Sequence, residues 1–128
     1  MGNEGRCAES PQCDIKKNMT IFGKIIRGEL PSEKVFENER ILAIKDIHPI
    51  APVHLLIMPK KEIPNLQSVQ PEDLPLIAEI AEVAQKLAVE FDVTDGYRLL
   101  TNSGSESGQV IDHLHFHLIG GRRLSHLA

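Results

Sequence analysis

Hydrophobic residues recur at helical spacing in two parts of the chain. Between residues 74 and 91 they stand three or four positions apart, which is the period of an amphipathic helix. Asp73 before this segment and Pro75 inside it suit the first turn of a helix. A shorter apolar stripe spans residues 21–27 and ends at Gly28. The pattern therefore predicts one long and one short helix.

Short segments rich in Val, Ile and Leu predict strands. These segments are residues 34–37, 41–47, 54–58, 97–101 and 110–119. A turn-like Asn38-Glu39-Arg40 separates the first two segments, which indicates a hairpin. Strands, one long helix and then further strands predict an α+β fold with a largely antiparallel five-stranded sheet.

Composition and charge narrow the class of protein. Residues 1–18 contain almost nothing apolar, so we expect a disordered tail followed by a single domain over residues 19–128. A formal net charge of −4 argues against a nucleic-acid or anionic-membrane partner. No apolar run is long enough to span a bilayer, and the N-terminus lacks the apolar stretch of a secretory signal. With Cys7 and Cys13 both in the tail, a reducing, cytoplasmic location is expected.

The last predicted strand carries three histidines at alternate positions, His113, His115 and His117. Because side chains along a strand point alternately to its two faces, the three imidazoles are expected on one face. Three histidines in register are poor β-formers for a face that is merely solvated, so we interpret them as a chemical site. His54, which opens another predicted strand, is expected to face the same site.

Two chemistries suit such an arrangement. Alternate histidines on a strand can ligate a metal such as zinc. Alternatively, one neutral imidazole attacks phosphorus, because its ordinary pKa of about 6.5 leaves a lone pair available at neutral pH. Its neighbours would then donate hydrogen bonds to the phosphate oxygens as charge develops.

The loop at residues 102–109 favours a phosphate ligand over a metal. It ends in Gln109, which offers an amide, and it is rich in small residues whose backbone N–H groups can approach an anion: Ser103, Gly104, Ser105, Ser107 and Gly108. Serine and glycine also simply make turns, so this loop carries weight only beside the aligned histidines.

With these residues in place, the chain resembles the histidine-triad superfamily. The run HLHFHLIGGR is similar to its signature of three histidines alternating with hydrophobic residues. The resemblance extends over residues 20–122 through TIFGKIIRGELP, LAIKDIHPIAPVHLLIMPKKEI and GYRLLTNSGSESGQ. It is nearest to the histidine-triad nucleotide-binding branch, so it implies that family's fold, with the sheets of two subunits joined in a homodimer.

The resemblance also implies roles for individual residues. His115 matches the nucleophile that forms a covalent nucleotidyl-histidine, His117 a histidine that binds the phosphate, and His113 and His54 supporting histidines. Asp46 matches the carboxylate that binds the ribose hydroxyls. Asn102, Ser107, Gly108 and Gln109 are expected on the phosphate and leaving-group side. The apolar pocket for the base is expected to contain Phe22, Ile25, Ile44, Ile47 and Leu56.

The implied activity is hydrolysis of adenosine or guanosine monophosphate amides, a purine nucleoside phosphoramidase without metal or other cofactor. Val110 stands where close relatives have a serine, and the C-terminal RRLSHLA has His126 near the position of their tryptophan. These departures leave open a non-catalytic nucleotide-binding or scaffold protein on the same fold. A metal-binding module built from the histidine face is the third hypothesis.

Overall fold

The computed structural model describes residues 20–126, and the expected tail at residues 1–18 lies outside this range. The chain divides into two compact units, the first ending at Pro31 and the second beginning at Ser32. Neither helix within residues 20–126 combines the length and the hydrophobicity that a membrane crossing requires.

The described part of the first unit contains helix α1, Ile21–Ile26. Thr20 caps its N-terminus, because the Thr20 hydroxyl accepts a hydrogen bond from the Gly23 N–H at 3.0 Å. The helix ends before Gly28, whose φ of +80° is a left-handed conformation that glycine adopts without strain. Phe22 and Ile25 are its buried apolar residues. The short helix predicted at residues 21–27 is therefore confirmed.

The second unit is built on a five-stranded antiparallel sheet. Its strands are β1 (Lys34–Glu37), β2 (Ile41–Lys45), β3 (Val53–Pro59), β4 (Tyr97–Leu100) and β5 (Phe116–Gly120). Their order across the sheet is β1-β2-β3-β5-β4, which places β4 at an edge although it precedes β5 in the chain. The predicted α+β fold with a largely antiparallel sheet is confirmed.

Helix α2, Leu74–Glu90, covers one face of this sheet. Alternate residues of the strands point to that face, because the side chains of a strand alternate in direction. The resulting core contains Ile41, Ala43, Leu55, Ile57 and Leu118 from the sheet, and Ile80, Val83, Ala84, Leu87 and Ala88 from the helix. Asp73 stands at the N-cap as expected, but both of its carboxylate oxygens accept from Lys61 Nζ, at 2.9 and 2.8 Å, and none caps the helix.

The prediction of a strand over residues 110–119 is wrong at its beginning, since β5 begins only at Phe116. Ile57, two residues before the end of β3, pairs with Phe116. Before that point the chain leaves the sheet, and the Leu114 N–H donates to the Ile63 carbonyl at 2.6 Å. Val110 is 90% exposed and belongs to no strand.

Candidate active site

His117 lies on the sheet face opposite helix α2. It pairs with Leu56 of β3, which in turn pairs with Ile44 of β2. Directly paired residues of an antiparallel sheet point to the same face, so these three side chains form one line across the sheet. Phe116 and Leu118, the neighbours of His117, face the helix instead. The predicted alternation therefore holds within β5.

His113 and His115 precede β5, so the expected single strand face of three histidines is incorrect. His113 is buried, and its Nε2 donates to the carbonyl of Pro59, the last residue of β3, at 2.8 Å. His115 is also buried, and its ring centroid lies 5.2 Å from that of His117. The structure thus brings His115 and His117 together, while the ring of His113 bonds the end of β3.

Hydrogen bonds to the backbone determine the tautomer of His115. Its Nδ1 lies 2.7 Å from the His113 carbonyl oxygen, which can only accept. Nδ1 therefore carries the proton, and in the neutral ring the lone pair is on Nε2. The backbone of His115 is held as well, since the Thr101 hydroxyl donates to the His115 carbonyl at 2.6 Å.

His54 joins the cluster from the beginning of β3, as expected. Its Nδ1 accepts a hydrogen bond from the Ile50 N–H at 3.2 Å, so a neutral His54 carries its proton on Nε2. That Nε2 lies 2.9 Å from His117 Nδ1 and 3.3 Å from Asp46 Oδ2. The His54 Nε2–H accordingly donates to His117 Nδ1, and His117 in turn carries its own proton on Nε2.

Burial favours the neutral form of His54, His115, His117 and the nearby His113. It is the main cause that lowers the pKa of His54, His113 and His115 below the ordinary value. For His117, burial is the largest cause, and repulsion from His115 and His54 when these are protonated adds to it, so that its pKa is lowered to about 4. The Asp46 carboxylate opposes part of the shift at His54, His115 and His117.

The distances alone would also suit a metal ion. Ligand atoms of Asp46, His54 and His117 all lie within 4.8 Å of one another. However, a metal would need the lone pair of His54 Nε2, and the Ile50 N–H directs the proton of a neutral His54 to that same atom. The donor set in this arrangement therefore fits a chain of hydrogen bonds better than a metal. Within residues 20–126 the group with metal-compatible distances is this one and not the hypothesised set of His113, His115 and His117.

The predicted phosphate loop is ordered by its own side chains. Gln109 is buried, and its Oε1 accepts from the Gly104 N–H at 2.8 Å while its Nε2 donates to the Pro64 and Ile111 carbonyls. The Ser107 hydroxyl donates to the Gly104 carbonyl at 2.6 Å. Gln109 thus shapes the loop in this structure. The predicted phosphate contacts of Gln109, Ser107, Gly108 and the half-buried Asn102 stay predictions.

The residues predicted for the base pocket fall into three groups. Ile44 and Leu56 are buried on the His117 face of the sheet. Ile47 lies in the loop between β2 and β3 and is 83% exposed. Phe22 and Ile25 belong to helix α1 of the first unit. Their place in a base pocket stays a prediction for all five.

Sequence reasoning missed the groups that orient the cluster. The Ile50 N–H, the Pro59 carbonyl and the His113 carbonyl are backbone atoms, and every residue except proline offers both kinds of group. Nothing in the sequence therefore distinguishes them. The hydroxyl of Thr101 was the one side chain that could have been considered, since it directly precedes Asn102.

Comparison with known proteins places this geometry in a family. The HIT domain model matches residues 27–124. A HIT-like protein of Chlamydia pneumoniae is 53% identical over 110 residues, which cover 86% of this chain and all of that protein. A solved HIT family hydrolase of Clostridium thermocellum is 43% identical with a TM-score of 0.81, covering 84% of this chain and 95% of that one. A solved histidine triad nucleotide-binding protein of Candida albicans is 34% identical, with a TM-score of 0.72 and coverage of 85% and 83%. The chain therefore belongs to the HIT domain family.

Proposed function

We propose that this protein is a hydrolase that cleaves the P–N bond of purine nucleoside monophosphate amides, with His115 as the nucleophile. Family membership and neighbours named HIT family hydrolases support a hydrolase in general. The neighbour named a nucleotide-binding protein supports a nucleotide substrate. The observation that carries the proposal is the fixed tautomer of His115, whose Nδ1 donates to the His113 carbonyl and whose Nε2 keeps the lone pair.

The first displacement forms a covalent intermediate. His115 Nε2 attacks phosphorus, and the P–N bond breaks with its electron pair going to the departing amine, which takes up a proton. The His115 ring becomes positively charged, and the hydrogen bond from Nδ1 to the His113 carbonyl stabilises that charge. The Nε2–H of His117 is available to donate to a phosphate oxygen while negative charge accumulates there.

The second displacement releases the nucleotide. A water molecule attacks phosphorus and loses a proton, and the bond between phosphorus and His115 Nε2 breaks with its electron pair returning to the ring. The balance of both steps is one phosphoramidate and one water converted to one nucleoside monophosphate and one amine. The lowered pKa of His115 supports this cycle, because it keeps the free ring neutral at pH 7.

A fluorogenic adenosine phosphoramidate tests the proposal directly. We expect the protein to release the fluorescent amine, and we expect the rate of His115→Ala to be at least about 10³-fold lower. Mass spectrometry of the rapidly quenched native protein should detect an added nucleotidyl group that His115→Ala lacks. His48→Ala, which removes an exposed histidine outside the cluster, is the matched control and should retain the native rate.

Two outcomes would contradict the proposal. If neither protein releases amine while purine monophosphates still bind, the chain is a nucleotide-binding protein without turnover. If His115→Ala turns over as fast as the native protein, another group is the nucleophile.

A homodimer belongs to the same proposal. Within residues 20–126, strand β4 lies at one edge of the sheet and pairs with β5 on its inner side, so its outer side can accept the same strand of a second copy. Sedimentation equilibrium should give twice the mass of one chain. A monomer at micromolar concentration would refute this part while leaving the chemistry at His115 unaffected.

A further inference from the structure

The loop between β2 and β3 connects two groups of the candidate site, Asp46 and His54. It begins with Asp46 and leads into His54. Its two prolines, Pro49 and Pro52, have no N–H to donate. The side chain of Ile50 is 63% exposed, so burial of that side chain holds the loop only weakly. Hydrogen bonds from other parts of the chain can therefore contribute to the position of Ile50, beside the bond within the loop from the His48 N–H to Asp46 Oδ1.

The turn after β5 supplies such a bond. Arg122 Nη2 donates to the Ile50 carbonyl at 2.9 Å, and Arg122 Nη1 donates to the Arg123 carbonyl at 2.8 Å, which orients the guanidinium. Gly121 lets the two segments approach closely, because a Cβ at this position would lie only 2.9 Å from Pro52 Cβ. The turn after β5 is therefore fitted against this loop.

We propose that Arg122 is a positioning residue that sets the tautomer of His54 and, through it, that of His117. Arg122 holds Ile50 by its carbonyl, and the Ile50 N–H is the group that bonds His54 Nδ1. His54 Nε2–H then donates to His117 Nδ1. The orientation of three successive groups thus depends on one exposed guanidinium.

The direction of the hydrogen bonds that lead from Ile50 through His54 to His117 matters for phosphate binding. Without the Ile50 N–H, His54 Nδ1 can also carry the proton, although Asp46 Oδ2, which lies 3.3 Å from His54 Nε2, still favours the original tautomer. The preference for a proton on Nε2 is then weaker, and in part of the molecules the bond between His54 and His117 reverses. His117 would then carry its proton on Nδ1 and present a lone pair, rather than a donor, at Nε2. A lone pair repels a phosphate oxygen, so only one of the two tautomers can assist the reaction. This kinetic consequence rests on the proposed function, whereas the tautomer itself does not.

Nitrogen-15 NMR at a pH where the cluster is neutral tests the inference without any substrate. In the native protein we expect His54 Nδ1 to resonate in the unprotonated range and Nε2 in the protonated range. In Arg122→Ala both resonances should move towards intermediate values, and Arg122→Lys should recover part of the native shifts through one hydrogen bond. Arg123→Ala is the matched control, since it removes a neighbouring exposed arginine whose side chain makes no hydrogen bond or ion pair within residues 20–126.

Kinetics with the phosphoramidate provide the second measurement. Arg122→Ala should lower kcat about twofold, because intermediate resonances mean that roughly half of the molecules keep the productive tautomer, with KM changed less. The inference is overturned if His54 keeps its native resonances in both Arg122 variants, or if Arg123→Ala moves them equally. A native protein that shows the expected resonances without turnover would refute the proposed function and support the role of Arg122.

Discussion

Replacing His117 by glutamine should reduce the dependence of stability on pH. In the folded protein the pKa of His117 is lowered to about 4, chiefly by burial and then by repulsion from His115 and His54 when these are protonated. The unfolded chain has the ordinary value of about 6.5. Between these values the unfolded state binds more protons than the folded state, so stability is fully present above about pH 6.5 and is lost as the pH falls towards 4. Glutamine cannot titrate, yet its amide oxygen can still accept the hydrogen bond from His54.

The size of the His117 contribution to the free energy of unfolding follows from the exposure of its ring. A proton bound only by the unfolded state lowers the free energy of unfolding by about 1.4 kcal/mol for each pH unit. His117 is half-buried, so screening by solvent narrows the interval between its folded and unfolded pKa values and leaves this slope unchanged. Over the acidic part of the window the His117 contribution should therefore total about 1–2 kcal/mol. The other three histidines shift in the same direction, so the slope should decrease without vanishing.

Urea unfolding at several pH values measures this slope. The chain has no tryptophan and one tyrosine, so circular dichroism is the suitable signal, at one fixed protein concentration. His126→Gln, which removes an exposed histidine outside the cluster, is the control for losing any histidine. Equal slopes for the native protein and His117→Gln would refute the reasoning, because they would mean that His117 titrates alike in both states.

Three further substitutions probe the sheet and its loops, each measured by thermal or urea unfolding. Leu118→Ala removes a fully buried side chain under helix α2 and should cost about 2–5 kcal/mol; a loss below about 1 kcal/mol would contradict the core packing. Gly121→Ala should cost about 1–3 kcal/mol, since φ is +95° and the new Cβ would meet Pro52; an unchanged midpoint would show that the turn adapts freely. Asn38→Ala should cost about 1–2 kcal/mol, because the Asn38 amide oxygen accepts from the backbone N–H groups of Arg40 and Ile41, both at 2.8 Å, where β2 begins. Unaltered stability would exclude that role.

The regular elements could be predicted from the sequence because each shows either a clear hydrophobic period or a composition typical of its type. Helix α2 follows apolar spacings of three and four, and β1 follows a short β-branched and aromatic segment whose bounds match the prediction. The beginning of β5 could not be predicted in this way. Alternation continues through His113 and His115, yet the pairings of β5 with β3 and β4 begin only at Phe116 and His117, and alternation of side chains contains no information about pairing.

The candidate site could also be predicted only in part. His54, His115 and His117 could be identified from their residue type, and the structure brings their rings together. The directions of the hydrogen bonds among them could not be identified. Those directions depend on which backbone groups the fold presents, such as the Ile50 N–H in the loop before β3. The place of β4 at the sheet edge was equally hidden, because it results from a long-range pairing with β5.

The use of backbone atoms to fix the imidazole protons has a consequence for genetic variation. The carbonyls of Pro59 and His113 and the N–H of Ile50 are present whatever side chains stand there, except that proline at position 50 would remove the donor. A library of substitutions at the exposed position 50 would therefore score it as tolerant while its N–H still directs the chemistry. Replacing the amide that contains the Ile50 N–H by an ester would reveal the dependence, because it deletes the donor and keeps every side chain.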